Sequence, residues 1–139
     1  MGMVLNKLRS MMWTILGTPK EKIPPPVYKS DFPDGKLVGA PADIGAFSLI
    51  DYGGNVTIGK NVKIAYGVII LSVSTITGNS GAKLIKRPVS IGDNVEIGSN
   101  VVILPGVNIG SDTTIGAGAV LSIRIFLKEL LQEGFPARS

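Results

Sequence analysis

Val89-Ser90-Ile91-Gly92-Asp93-Asn94-Val95-Glu96-Ile97-Gly98-Ser99-Asn100-Val101-Val102-Ile103 repeats itself every six residues. The isoleucines 91, 97 and 103 are six apart, and Ile109, Ile115 and Leu121 continue the series. Two positions before each stands Val89, Val95, Val101, Val107, Thr113 or Ala119, and glycine follows most of them. Upstream, Val56-x-Ile58, Val62-x-Ile64 and Val68-x-Ile70 carry the same spacing. In an extended chain, residues two apart face one side, so Val-x-Ile is a minimal strand with two inward side chains. Gly-Asp-Asn or Gly-Ser-Asn then makes a tight corner, where Gly and Asn accept backbone angles that other residues avoid. Strand and corner in alternation give a coil. One coil cannot bury its own inner side, so coils must stack, about 4.8 Å apart, each strand beside its equivalent. A period of six matches neither the 3.6 of a helix nor the 2.0 of a long strand.

The period breaks once. Ile70 and Ile91 are 21 residues apart, so an excursion of about 15 residues leaves the coil near Ser74 and returns near Arg87. Its polar, glycine-containing composition predicts an exposed loop, a usual place for function on a rigid scaffold. Residues 3–17 predict a short amphipathic helix with Val4, Leu5, Leu8, Met11, Met12, Ile15 and Leu16 on one side, suited to core packing, subunit packing or a membrane surface. Pro24-Pro25-Pro26 stops any helix and predicts an extended linker, so residues 1–35 form a leading segment, 36–122 the coils and 123–139 a C-terminal helix and tail. The apolar run Met11 to Leu16 is too short for a membrane span, and the expected location is cytoplasmic.

Composition narrows the chemistry. The chain has 139 residues, 45% of them hydrophobic and 17% charged, which fits one ordered domain. It contains neither cysteine nor histidine. Disulfides, thiolate nucleophiles, an imidazole base and the usual zinc ligands are thereby excluded. The net charge of +4 suits an anionic small ligand, but no basic stripe with interleaved aromatics points to nucleic acid.

These features resemble the hexapeptide-repeat acyltransferase superfamily over residues 36–138. The resemblance implies an all-β, single-stranded, left-handed parallel β-helix with three hexapeptides per coil, assembled as a homotrimer. Within the superfamily, Asn55-Val56-Thr57-Ile58-Gly59, Arg87-Pro88-Val89-Ser90-Ile91-Gly92-Asp93-Asn94-Val95, Ile115-Gly116-Ala117-Gly118-Ala119 and Gly134-Phe135-Pro136-Ala137-Arg138 resemble the galactoside and maltose O-acetyltransferase branch. That branch transfers acetyl from acetyl-CoA to a sugar hydroxyl, using a loop histidine as base. The histidine position falls on Thr75, or on Ile76 if the alignment slides by one, and neither side chain is a base. A sugar-contacting asparagine falls near Ala46, and a tryptophan after the loop is replaced by Glu96. Asp51 matches a carboxylate of the branch. Ser99, Ala117 and Ser122 fall on positions that line the pantetheine arm, and Arg138 on the basic residue near the CoA phosphates, whereas the lysine before it is Ile123. Two expectations stand side by side. One is a CoA-dependent acyltransferase acting on a small hydroxyl or amine acceptor without histidine, with Asp51 or Glu96 as candidate proton acceptors if buried. The other is a non-catalytic trimeric β-helix with a binding or structural role.

Overall fold

A computed structural model describes residues 2–16, 23–39, 41, 43–75 and 84–123. It opens with helix α1 (Gly2–Leu16) and strand β1 (Val27–Lys29). A first coil follows, of β2 (Leu37–Val38), β3 (Asp43–Ile44) and β4 (Leu49–Asp51). The second holds β5 (Val56–Ile58), β6 (Lys63–Ile64) and β7 (Ile69–Leu71). The excursion begins with β8 (Val73–Ser74) and ends with β9 (Ile85–Lys86). The third coil is β10 (Val89–Ile91), β11 (Glu96–Ile97) and β12 (Val102–Ile103), and the fourth β13 (Asn108–Ile109), β14 (Thr114–Ile115) and β15 (Val120–Leu121).

Successive coils align strand on strand into three parallel faces. Face one runs β2-β5-β10-β13, face two β3-β6-β11-β14, and face three β1-β4-β7-β12-β15. The molecule is thus a parallel β-helix, as the six-residue period predicts. The register is also the one expected. Ile58 lies beside Ile91 and Ile91 beside Ile109; Ile64, Ile97 and Ile115 form a second column, and Ile70, Ile103 and Leu121 a third. With Val56, Val62, Val68, Val89, Val95 and Val101 they make one stacked aliphatic core. Each fully buried member contributes roughly 1.5–3 kcal/mol. Ile115 and Leu121, in the fourth coil, are half-buried, and among the described residues no further coil lies beyond them.

The corners explain the Gly and Asn content. Asn61, Asn94 and Asp112 hold φ of 55°, 55° and 58°, in the left-handed region that Asn and Asp tolerate. They stack: Asn61 Nδ2 donates to Asn94 Oδ1 at 3.1 Å, and Asn94 Nδ2 to Asp112 Oδ1 at 3.0 Å. The lower step spans 18 residues and the upper 33, and the difference of 15 is the excursion. Gly39 has φ of 99° and passes so close to the Ile58 carbonyl that a Cβ would collide with it.

Two features differ from expectation. Where the triple proline predicts a linker, Val27–Lys29 is a strand that pairs with Leu49–Asp51 and extends face three. Its backbone supplies the pairing, so it needs no six-residue pattern. The excursion also has structure at its root: Val73 pairs with Lys86 and Ser74 with Ile85 in an antiparallel ribbon. Helix α1 forms, but Val4, Leu5, Leu8, Met11 and Met12 are exposed, so packing in the core of its own chain is not their role. The expected C-terminal helix lies outside the described residues.

Candidate functional site

Ser72 ties the excursion to the coils. It is fully buried, and its hydroxyl donates to the Asp51 carbonyl at 2.6 Å while accepting from the Gly54 N–H at 2.8 Å. The Arg87 N–H meets the Ser72 carbonyl at 2.9 Å, so exit and return are joined at one residue. A serine is needed here because the corner Asp51 to Asn55 has groups that the strand ladder leaves unpaired. With its hydroxyl engaged on both sides and no base beside it, Ser72 is a structural serine and not a nucleophile.

Asp51 stands at this root. It is half-buried, and its Oδ1 accepts from the Gly53 N–H at 3.0 Å. A Cβ on Gly53 would press on both Phe32 and Val73, so the turn before the first coil, the corner and the ribbon meet there. Lys86 closes the cluster. Its Nζ lies 4.7 Å from the Phe32 ring centre and bonds both oxygens of Asp34, at 2.7 and 2.8 Å. The Lys86 hydrogen bond holds the Asp34 carboxyl below its ordinary value of 3.8. On the neighbouring strand, the hydrogen bond to Asp31 raises Lys29 above its ordinary 10.5. Sequence reading missed Phe32, Asp34 and Lys86 as a unit, because 52 residues separate the ion pair and neither end lies in a repeat.

Thr75 is exposed at the end of the ribbon, just before residues that are not described, among them Ile76. Glu96 lies elsewhere, on the outer side of face two, with Oε1 3.5 Å from Lys63 Nζ in an exposed ion pair. The structure therefore separates the two candidate carboxylates: Asp51 sits at the excursion root, Glu96 on an open sheet. Burial, the condition for Glu96 to act as a base, is not met within one chain.

Of the residues expected along a CoA groove, Ser99 and Ala117 come together. They stack at the corner between faces two and three, where the Gly118 N–H donates to the Ser99 carbonyl at 2.9 Å. The backbone of Ala117 leaves no room for a Cβ on Gly98. The same column continues upward to Tyr66, whose carbonyl accepts from Asn100 at 2.9 Å and whose ring is exposed. Ser122 is not in this column. It follows β15, so it stands at the opposite edge of face three. Arg138 lies outside the described residues. Two hollows lie at the first-coil end, one around Tyr28, Leu37, Asp43 and Ile44 and one around Pro25, Ala46 and Tyr66.

Residues 88–122, the third and fourth coils, match the family described as bacterial transferase hexapeptide (six repeats). These coils are hexapeptide repeats. The match covers Ser99, Ala117 and Ser122 and leaves out Asp51 and Thr75. No curated protein and no solved structure matches the chain. Among the described residues, no helix is long and apolar enough to cross a membrane.

Proposed function

We propose that the protein is a cytoplasmic, trimeric, CoA-dependent acyl (acetyl) transferase of the galactoside and maltose O-acetyltransferase type, with a small hydroxyl or amine acceptor and without the histidine base. The observation that carries this reading is the stack of Ser99 on Ala117 inside the matched hexapeptide coils. Two small side chains one above the other leave the corner without bulk, and an extended pantetheine arm would lie along it. The tail residue Arg138 would complete the groove at the phosphates, and Ser122, at the opposite edge of face three, would reach it only from a neighbouring subunit.

The outer surface of face three supports the trimer. Val27, Leu49, Ile69, Val102 and Val120 occupy one register, an aliphatic stripe down the outside of the β-helix. Val27 is 54% exposed and Val120 63%. A continuous apolar stripe on a rigid sheet calls for cover, and a second copy presents the same flat surface. Such packing would place the Ser99–Ala117 corner at the boundary between subunits.

Chemistry without histidine favours an amine acceptor, which can attack a thioester when bound neutral. Asp34 is taken up by Lys86 of the excursion, which leaves Asp51, at the excursion root, as the candidate to take the proton. A non-catalytic β-helix is the second reading, and the chain's lack of any histidine or cysteine favours it. Acetyl-CoA consumption with a panel of sugars and amines separates the two. Slow acetylation of an amine supports the first; CoA binding with no turnover supports the second. Failure to bind CoA at all removes both the groove and the transferase.

A further inference from the structure

Helix α1 has fifteen residues and no acidic side chain in its first turn, and Val4, Leu5, Leu8, Met11 and Met12 on its apolar face are exposed. At about 100° per residue, Met11, Val4, Leu8, Met12 and Leu5 fall in that order around an arc of about 120°. Lys7 stands about 40° beyond the Met11 edge, and Arg9 about 40° beyond the Leu5 edge. The helix thus carries one apolar stripe bordered on both sides by a cation, and the first acidic residue of the chain is Glu21. Long basic side chains in this position can lay their stems on an apolar surface and hold their charge at its rim.

We infer that α1 docks the protein on an anionic lipid bilayer, lying in the interface with Val4, Leu5, Leu8, Met11 and Met12 in the acyl boundary and Lys7 and Arg9 at the headgroups. Charge complementarity selects this occupant. A second copy of the helix would set Lys7 and Arg9 against the same cations, whereas an anionic surface attracts both. Length selects the orientation. Fifteen residues make a helix about 22 Å long, short of the roughly 30 Å hydrocarbon core, so it lies on the membrane and does not cross it. Assembly would strengthen the contact, because each additional copy adds one helix to a surface already engaged.

The test uses the full chain and sedimentation with vesicles, of phosphatidylcholine alone or with one third phosphatidylglycerol. The wild type should partition onto the anionic vesicles, and raising the salt should release it. Lys7→Gln with Arg9→Gln should lower that partition roughly 30-fold, about fivefold for each cation. Leu8→Asp should abolish it while the thermal melt of the β-helix stays unchanged. Equal partition onto neutral and anionic vesicles overturns the inference, and so does binding that Leu8→Asp leaves intact. If the wild type ignores both vesicles while Leu8→Asp splits an oligomer, the stripe covers a second copy and the inference fails.

Discussion

Faces two and three have the same interior and opposite exteriors. Inside, Ile64, Ile97 and Ile115 on one match Ile70, Ile103 and Leu121 on the other. Outside, face two presents Asp43, Lys63, Glu96 and Thr114, whereas face three presents Val27, Leu49, Ile69, Val102 and Val120. The inward residues specify the coil, and they are alike because every wall of the β-helix needs the same aliphatic stack. The residue between them is free of that demand and can specify what the wall meets. A polar wall meets water; an aliphatic one needs a neighbour.

The interior half of this comparison is broken most severely. Ile97→Ala and Ile103→Ala should each lose about 2–5 kcal/mol, as buried Ile truncations do, with similar losses on the two faces by chemical denaturation. A loss confined to one face would show that the walls are not equivalent inside. On the exteriors the faces should diverge. Val102→Lys should turn the proposed trimer into monomers in sedimentation velocity with the strand signal retained, while Thr114→Lys should leave the assembly unchanged. If both variants stay trimeric, the aliphatic stripe is not the interface.

Thr75→His sharpens the comparison at the excursion, which departs from the edge of face three. It should raise sugar O-acetylation by as much as ~10²-fold, the lower range for a general base. A wild-type rate of about 10 s⁻¹ on a sugar would instead place the base on another group. The smallest effects belong to surface ion pairs. Glu96→Gln on face two should change stability by less than about 1 kcal/mol. Lys86→Met should raise the Asp34 carboxyl toward 3.8, read by NMR titration of its carboxyl carbon. The sign follows from the lowered carboxyl: the pair stabilises the ribbon root above the ordinary carboxylate value and loses that contribution as acid protonates Asp34. Lys86→Met should abolish this dependence.

The coils were legible because inward residues repeat wherever a wall repeats, and Ile58, Ile91 and Ile109 declare their stack by spacing alone. The stripe on face three went unread, because it shows only on a longer count: the residue between the two inward ones on this face, Leu49, Ile69, Val102 or Val120, is aliphatic in each coil. β1 was not legible either, since Val27–Lys29 joins face three through backbone bonds that any residue can make. Nor was the Lys86–Asp34 clamp, which depends on where the excursion closes. The groove residues came from the resemblance alone; Ser99 and Ala117 stand 18 residues apart, one full coil, and so stack, but the same arithmetic sets Ser122 beneath Leu104 on another edge.

The asparagine ladder carries one more consequence. Asn61 reaches Asn94 across 33 residues with the geometry that Asn94 uses to reach Asp112 across 18. The stack therefore registers no trace of how much chain passes between two coils, provided that the chain leaves and returns at the Ser72 corner. This corner is a socket. A longer, shorter or wholly different segment can be plugged in there while the walls keep their alignment, so the loop can evolve, or be exchanged by design, as a cartridge separate from the barrel that holds it.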